Sequence, residues 1–441
     1  MISFFDDEFQ EKEYKYRVAF LVSSHHFMST GGIGAFSRSF HRMCEELDIL
    51  VDYILDKKPK DNLMIEYAKE NNINIIYPDD ISYLNHSKIY SFAESLNIER
   101  ILNFRNSFMI AAEKFVYDSI ILNTPEAHFA IYPLGLYIRI PVIFYTHHEN
   151  FVFIGNSKVF SESYNEMMIN SMNLSGLTIG TQSEMNVERL KENIRNENVF
   201  FLPMKIPENN LLKNYDIKKS GVIFIGRHED RKNPSEFIRM IKSTGLPAKV
   251  LTNNKGKNKF IEDFKNNGII NYEIKSNIFG EEKVQFIKSA KIGYHPSKLE
   301  SYGFSAFESL HSCPTVLLEE YKWHGAFDDV IVCSKNKVDE TILKLYNDES
   351  YNHDEILEKM VRYDKTINNI WFQHLISKKE FKRNDKKTLL FEFTKDKISF
   401  KHLLKKLNRP NVSVEDIISI YNKNHMLNIT HTKSDTFLHT K

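Results

Sequence analysis

The sequence predicts an α/β protein with two Rossmann-like domains facing across a cleft and a small C-terminal helical extension. Three observations lead there. At 441 residues the chain exceeds the roughly 250–300 residues at which a single hydrophobic core stops growing. Short, continuously apolar runs alternate with helical stretches over most of its length, the pattern of parallel βαβ units. A weakly periodic segment with two prolines, 203–219, separates two such series. The expected boundaries are 12–203 for the first domain, 204–365 for the second, 366–381 for a helix crossing back, and 382–441 for a basic helical extension and tail.

Composition narrows the functional classes. Hydrophobic residues at 42% and charged residues at 27% fit a soluble globular chain, and no apolar run approaches the ~20 residues of a membrane span. The opening residues 1–8 are acidic and lack the basic and apolar regions of a signal peptide. Cys44, Cys313 and Cys333 show no metal-ligand spacing, so a reducing, cytoplasmic setting without a metal is expected. With a net charge of +1 the chain is no polycation, and contact with nucleic acid would need a local basic face.

In the first domain, 16–23 reads as a buried opening strand. The loop 24–34, with Gly31, Gly32 and Gly34, feeds a helix at 35–47 whose Phe36, Phe40 and Met43 share a face. Glycines at such a turn allow close backbone approach to an anionic ligand at the helix N-terminus, so Gly32 and Gly34 are candidate binding residues. Strands follow at 51–55, 73–77, 100–104, 119–123 and 142–145, then helix 162–172, strand 177–180, the turn Thr181-Gln182-Ser183, helix 184–191 and strand 199–202. Ligands of open α/β sheets gather beyond the strands' carboxyl ends. There the strand at 142–145 delivers Thr146-His147-His148-Glu149-Asn150, two imidazoles and a carboxylate able to orient a hydroxyl and take its proton.

In the second domain, strand 222–225 runs into Gly226-Arg227-His228-Glu229-Asp230-Arg231-Lys232. Arg227 and Lys232, five apart on a loop before a helix, can grip a diphosphate and stabilise charge growing on it; Arg231 is off that spacing. Strands at 248–251, near 274 and at 291–294 alternate with helices at 259–266 and 281–289. The last of these strands leads into Glu300-Ser301-Tyr302-Gly303-Phe304, a helix at 304–312 carrying Glu308, and a strand at 315–318. Two carboxylates beside an anion site suit a ligand with hydroxyls at both ends, Glu300 on one and Glu308 on the other; Tyr302, Gly303 and Phe304 line the turn between them. A further strand is expected at 329–333, with Trp323 in the core and helices at 338–346, 354–363 and 367–378.

The stretch Glu300 to Glu308 resembles the E-x7-E element of retaining glycosyltransferases of the two-domain GT-B class, and Arg227 with Lys232 resembles their phosphate-binding pair. That resemblance spans about 15–380. It implies a UDP-sugar donor, no metal, Glu308 on the ribose, Glu300 on the sugar, and Arg227 and Lys232 on the departing diphosphate. Residues 120–125, Ile-Ile-Leu-Asn-Thr-Pro, and 142–150 are similar to bacteriophage DNA α-glucosyltransferases. This narrower resemblance implies UDP-glucose as donor and hydroxymethylcytosine in double-stranded DNA as acceptor, in the host cytoplasm if the chain is phage-encoded; separately, a monomer is expected. In those enzymes the residue after the first histidine is an acid; here it is His148, with Glu149 next, so the acceptor base stands between His148 and Glu149, beside His147. A surface glycan or lipid-linked acceptor is the alternative.

Beyond the expected fold, Lys378, Lys379, Lys382, Arg383, Lys386 and Lys387 form a basic run. Helices are expected after Ser399, with Phe400, Leu403, Leu404 and Leu407, and after Ser413, with Ile417, Ile418 and Tyr421. The polar tail after Asn428 reads as disordered.

Overall fold

The computed structural model describes residues 14–28, 32–59, 65–66, 68–69, 71, 73–78, 98–135, 140–147, 168–173, 177–182, 184–195, 197–206, 211, 215–298, 300, 302–321, 323, 329–348, 354–376, 398–399, 427–431 and 436–440. The chain divides into two compact units, Met1–Pro203 with Asn368–Lys441, and Met204–Ile367. Among the described residues, no helix is long and apolar enough to cross a membrane.

The first unit is built on a seven-stranded sheet in the order β3-β2-β1-β4-β5-β6-β7, parallel throughout. Its strands are β1 (Tyr16–Leu21), β2 (Ile49–Ile54), β3 (Asn74–Ile76), β4 (Ser119–Leu122), β5 (Val142–Thr146), β6 (Leu177–Thr181) and β7 (Val199–Phe201). The first strand is central and the chain reverses direction across the sheet between β1 and β4. The carboxyl ends of those two strands therefore flank a topological switch point. Helix α1 (Gly32–Glu46) sets Phe36 and Phe40 at helical spacing against Phe20 of β1, with ring centroids 5.8 and 4.9 Å away.

The strand expected at 100–104 is instead part of helix α2 (Ile98–Lys114). The apolar positions carry on as Phe104, Phe108, Ala111 and Ala112, all buried, and this 3- to 4-residue spacing decides for helix over a window longer than the local apolar run. Helix α3 (Pro125–Gly135) carries His128, fully buried, which bonds Ser171 Oγ through Nε2 at 2.8 Å and stacks on Phe144 at 4.5 Å. Burial pushes its pKa down to about 3. An unfolded histidine takes a proton below about pH 6.5. Between pH 6.5 and 3 the unfolded chain binds the extra proton, so stability falls with acidification by about 1.4 kcal/mol per pH unit for this residue. His128→Phe is expected to flatten the fall in urea midpoint between pH 7 and pH 5 by that share; an unchanged slope would show that the ring charges in the native state.

The second unit is built on a six-stranded sheet, also fully parallel, in the order β10-β9-β8-β11-β12-β13. Its strands are β8 (Val222–Ile225), β9 (Ala248–Thr252), β10 (Tyr272–Ser276), β11 (Ile292–His295), β12 (Thr315–Leu318) and β13 (Ile331–Cys333). Here the switch point lies between β8 and β11. Helices α5 (Pro234–Thr244), α6 (Asn254–Asn266), α7 (Gly280–Lys288) and α8 (Phe304–Leu310) connect the strands, after α4 (Glu184–Asn193) in the first unit. Met204, Lys205 and Ile206, read from sequence as a loose linker, are buried, and Lys205 Nζ lies 3.2 Å from Asp364 Oδ2.

After α9 (Val338–Asn347), the two helices expected at 354–363 and 367–378 form one, α10 (Asp354–Leu375), because no glycine or proline interrupts it. Its final residues belong with the first unit, where Trp371 is fully buried, donates Nε1–H to Pro203 O at 2.7 Å and meets the rings of Phe40 and Tyr145. Ser399 does not cap a helix; it lies in β14 (Ile398–Ser399). The tail expected to be disordered supplies β15 (Leu427–His431) and β16 (Thr436–Thr440), which pair antiparallel. Alternation of Leu427, Ile429 and His431 with polar neighbours, paired to a Thr/Phe/Leu strand, suits a sheet. The basic run and both helices expected within 400–426 lie outside the described residues.

Candidate active site

Both sequence signatures of the second unit converge on its switch point. Beyond β8 the chain makes a one-turn 3₁₀ segment, Asp230–Lys232, and Asn233 takes a left-handed φ of 53° before Pro234 starts α5. Beyond β11 it passes Ser297, Lys298 and Glu300 and turns at Gly303, whose φ of 79° favours glycine, into α8. The two loops are tied together. Lys298 N donates to Arg231 O at 2.8 Å and Lys298 Nζ reaches Asp230 Oδ1 at 2.6 Å, while Trp323, beyond β12, donates Nε1–H to Ser297 O of the second loop at 2.7 Å.

Within this frame Lys232 Nζ donates to Glu300 Oε1, both side chains being nearly buried, and Arg231 Nη1 lies 4.0 Å from Glu300 Oε2. Glu308, one turn into α8, is buried and accepts through Oε1 from Lys283 Nζ at 2.6 Å. His295 closes the strand end, buried, with Nε2 2.8 Å from Ser309 Oγ; burial, and then the Lys232 charge, push its pKa down to about 3. It stays neutral at pH 7. Gly293 is needed beside them, since a Cβ there would lie 2.7 Å from Ser309 Cβ and hold α8 off the strand. The arrangement offers carboxylate oxygens that can accept from hydroxyls and an ammonium with further N–H donors for an oxyanion.

The other candidates are distributed differently. Arg227 is 56% exposed, with Nη1 3.0 Å from Glu229 Oε1, and the loop leaves it apart from the Lys232–Glu300 pair. Tyr302 is buried, its hydroxyl donating to Met204 O at 2.9 Å and its ring edge-on to Phe304 and Phe307. Its side chain serves packing, so only its backbone could face a ligand. Phe304 begins α8, half-buried. Gly32 and Gly34 lie in the first turn of α1; Gly34 is buried, whereas a Cβ at Gly32 would meet nothing. The described residues therefore place no steric demand for glycine at 32. His148 and Glu149 lie outside the described residues.

At the carboxyl edge of the first sheet, His147 is held by residues that the sequence reading did not single out for chemistry. Its Nε2 pairs with Asn123 Oδ1 beyond β4, and Gln182 Nε2, beyond β6, donates to Nδ1 at 2.7 Å. The proton accordingly sits on Nε2. The ring stands edge-on to Phe36 at 4.7 Å. Close by in the fold, Ser24 N donates to Asp56 Oδ1 at 2.7 Å, and Arg100 bridges Asp56 Oδ2 at 3.0 Å and Glu126 Oε1 at 2.8 Å. Among the described residues, Ser24 Oγ, Asn123 Nδ2 and Thr181 Oγ1 are buried with no protein partner. Asn123 and Gln182 each follow an apolar strand directly, and that position at a strand's carboxyl end is the signal by which they could have been found. Gln182→Leu strips Nδ1 of its donor and is expected to lower the stability of the first unit by about 1–3 kcal/mol, read from its urea midpoint.

No protein-family model and no curated protein sequence matches the chain. Solved structures do match. Sucrose-phosphate synthase from Thermosynechococcus elongatus is 11% identical, over 81% of this chain and 98% of that one, with a TM-score of 0.62. TarM from S. aureus is 12% identical over 82% and 99%, with a TM-score of 0.61. HepE from Anabaena in complex with UDP-glucose is 13% identical over 81% and 99%, with a TM-score of 0.58. The fold is that of the GT-B glycosyltransferases. Two parallel sheets of seven and six strands, each with its own switch point, match that GT-B fold.

Proposed function

We propose that the chain is a retaining glycosyltransferase that moves a sugar from a UDP-sugar, UDP-glucose in the first instance, onto hydroxymethylated pyrimidines of duplex DNA. The observation that carries the donor half is the pairing of Lys232 with Glu300, beside Glu308, at the switch point of a sheet whose fold is shared with HepE, solved with UDP-glucose. In this reading Lys232 supports the departing diphosphate while keeping Glu300, since an ammonium has three donors. Arg227, an exposed side chain paired with Glu229, adds a second charge by exchanging that partner for the diphosphate. Glu300 accepts from the sugar hydroxyls and Glu308 from the ribose. The C1–O bond to UDP breaks as the acceptor oxygen bonds C1 on the same face, and the acceptor proton passes to Glu149 or His148. His147, with both nitrogens already engaged by Asn123 and Gln182, positions this edge. The DNA acceptor is supported by the similarity of 120–125 and 142–150 to phage DNA α-glucosyltransferases.

A second reading keeps the donor and substitutes a glycan acceptor. It is favoured by the fold shared with WaaG, a glycosyltransferase involved in lipopolysaccharide biosynthesis, 13% identical with a TM-score of 0.51. Transfer of radiolabelled glucose from UDP-glucose to duplex DNA with and without hydroxymethylcytosine, at low salt so that phosphate contacts persist, separates the two. Label on the modified duplex alone supports the DNA acceptor. Donor hydrolysis without label on DNA moves the acceptor to a glycan or lipid. No turnover of any UDP-sugar overturns the donor assignment.

A further inference from the structure

Lys283 stands where stability alone would not put a lysine. It lies in the first turn of α7, between exposed Glu281 and Glu282 and the buried Val284, Phe286 and Ile287, and its own side chain is only 11% exposed. The positive end of a helix dipole favours acids such as its two neighbours and disfavours a cation. Burying an ammonium against a carboxylate also costs more desolvation than filling the same volume with two apolar side chains. Yet the ammonium sits 2.6 Å from Oε1 of buried Glu308.

The companion acid is built the same way. Glu300 is held by Lys232 from the loop after β8, as Glu308 is held by Lys283 from the helix after β10. Each acid of the seven-spaced pair thus carries a buried lysine from a separate element, and all four side chains belong to the second unit. The first turn of α7 follows the carboxyl end of β10, on the edge of the sheet where ligands of open α/β folds bind.

From this geometry we infer that Lys283 is a positioning residue of the nucleotide site. By holding Oε1 of Glu308 it fixes the carboxylate plane and leaves Oε2 to accept from the ribose hydroxyls of a nucleoside diphosphate. This rests on the donor reading given above. Without the ammonium, the terminal torsion of Glu308 is broad and its two oxygens exchange roles, so a hydroxyl loses its fixed acceptor while the rest of the nucleotide contacts persist.

The test is equilibrium binding of UDP and 2′-deoxy-UDP to the full chain, as wild type, K283M and K283R. Wild type is expected to prefer UDP by about tenfold or more, the range for a hydrogen bond to a charged group. In K283M that preference is expected to shrink to within about threefold, on the same scale, with donor KM raised and kcat little changed. K283R restores the preference. If K283M does not fold, K283Q, whose amide ends one atom short of the ammonium and carries no charge, is read by the same ratio with the same loss of preference expected. A variant that weakens UDP and 2′-deoxy-UDP equally, keeping the wild-type preference, overturns the inference and makes Lys283 merely structural. A wild type that binds both nucleotides equally also overturns it, leaving the donor reading intact. A wild type that binds neither overturns both.

Discussion

Lys232→Met is expected to lower donor turnover by about 10²–10³-fold, the loss associated with one well-placed stabiliser of developing negative charge. The same change should cost the second unit up to about 3–5 kcal/mol, because it leaves Glu300 buried without its ammonium; Arg231, 4.0 Å from the other oxygen, softens that cost. Pairing the substitution with Glu300→Leu removes the stranded charge. The double variant should recover most of the stability, read by urea unfolding, and none of the turnover, read by donor hydrolysis. A single variant that hydrolyses UDP-sugar within a few-fold of wild type would remove Lys232 from the diphosphate. Arg227→Ala offers a cleaner reading of chemistry alone. Arg227 is 56% exposed and pairs only with Glu229 among the contacts described, so its loss should leave stability within about 0.5 kcal/mol while still slowing transfer.

Trp371→Ala is expected to destabilise the first unit by about 3–5 kcal/mol, the usual range for emptying a buried aromatic site. Trp371 is fully buried, its indole N–H satisfies Pro203 O, and its ring centroid lies 5.3 Å from Phe40 and 5.6 Å from Tyr145. The effect should reach the candidate site. Phe36 packs on both Tyr145 and His147, at 4.2 and 4.7 Å, so a cavity at Trp371 loosens the wall against which His147 stands. Trp371→Phe keeps most of the packing but orphans the carbonyl of Pro203, and should cost about 1–3 kcal/mol. Urea denaturation followed by circular dichroism would measure both. A midpoint for the alanine variant close to wild type would show that α10 contributes little to the first unit.

Local pattern made much of this legible. The apolar runs within 16–23, 119–123, 142–145 and 222–225 form strands, because a strand buried on both faces has few polar positions to interrupt it. The spacing of Lys232 from strand β8, and of Glu300 from Glu308 across the Gly303 turn, was visible because these residues sit on two short segments whose conformation their own residues dictate. Where the local signal is ambiguous, residues further along the chain decide the element. Residues 100–104 are apolar enough for a strand, and only the periodicity through Ala112 makes them helical, which is also what carries Arg100 to Asp56 and Glu126.

What the chain determined by itself was therefore the order and type of most elements of its two α/β series, the two parallel sheets they imply, and the residue types gathered at the strands' carboxyl ends; the helix over 100–104 and the C-terminal strands were not among them. What only the tertiary structure decided was which of those residues meet. Lys283 reaches Glu308 across 25 positions, Lys232 reaches Glu300 across 68, and Trp371 reaches Pro203 across 168. No periodicity encodes such contacts. They follow from strand order, which brings β11 back beside β8 and β4 beside β1, and from burial, which makes each charged or hydrogen-bonding group find a partner wherever the fold supplies one.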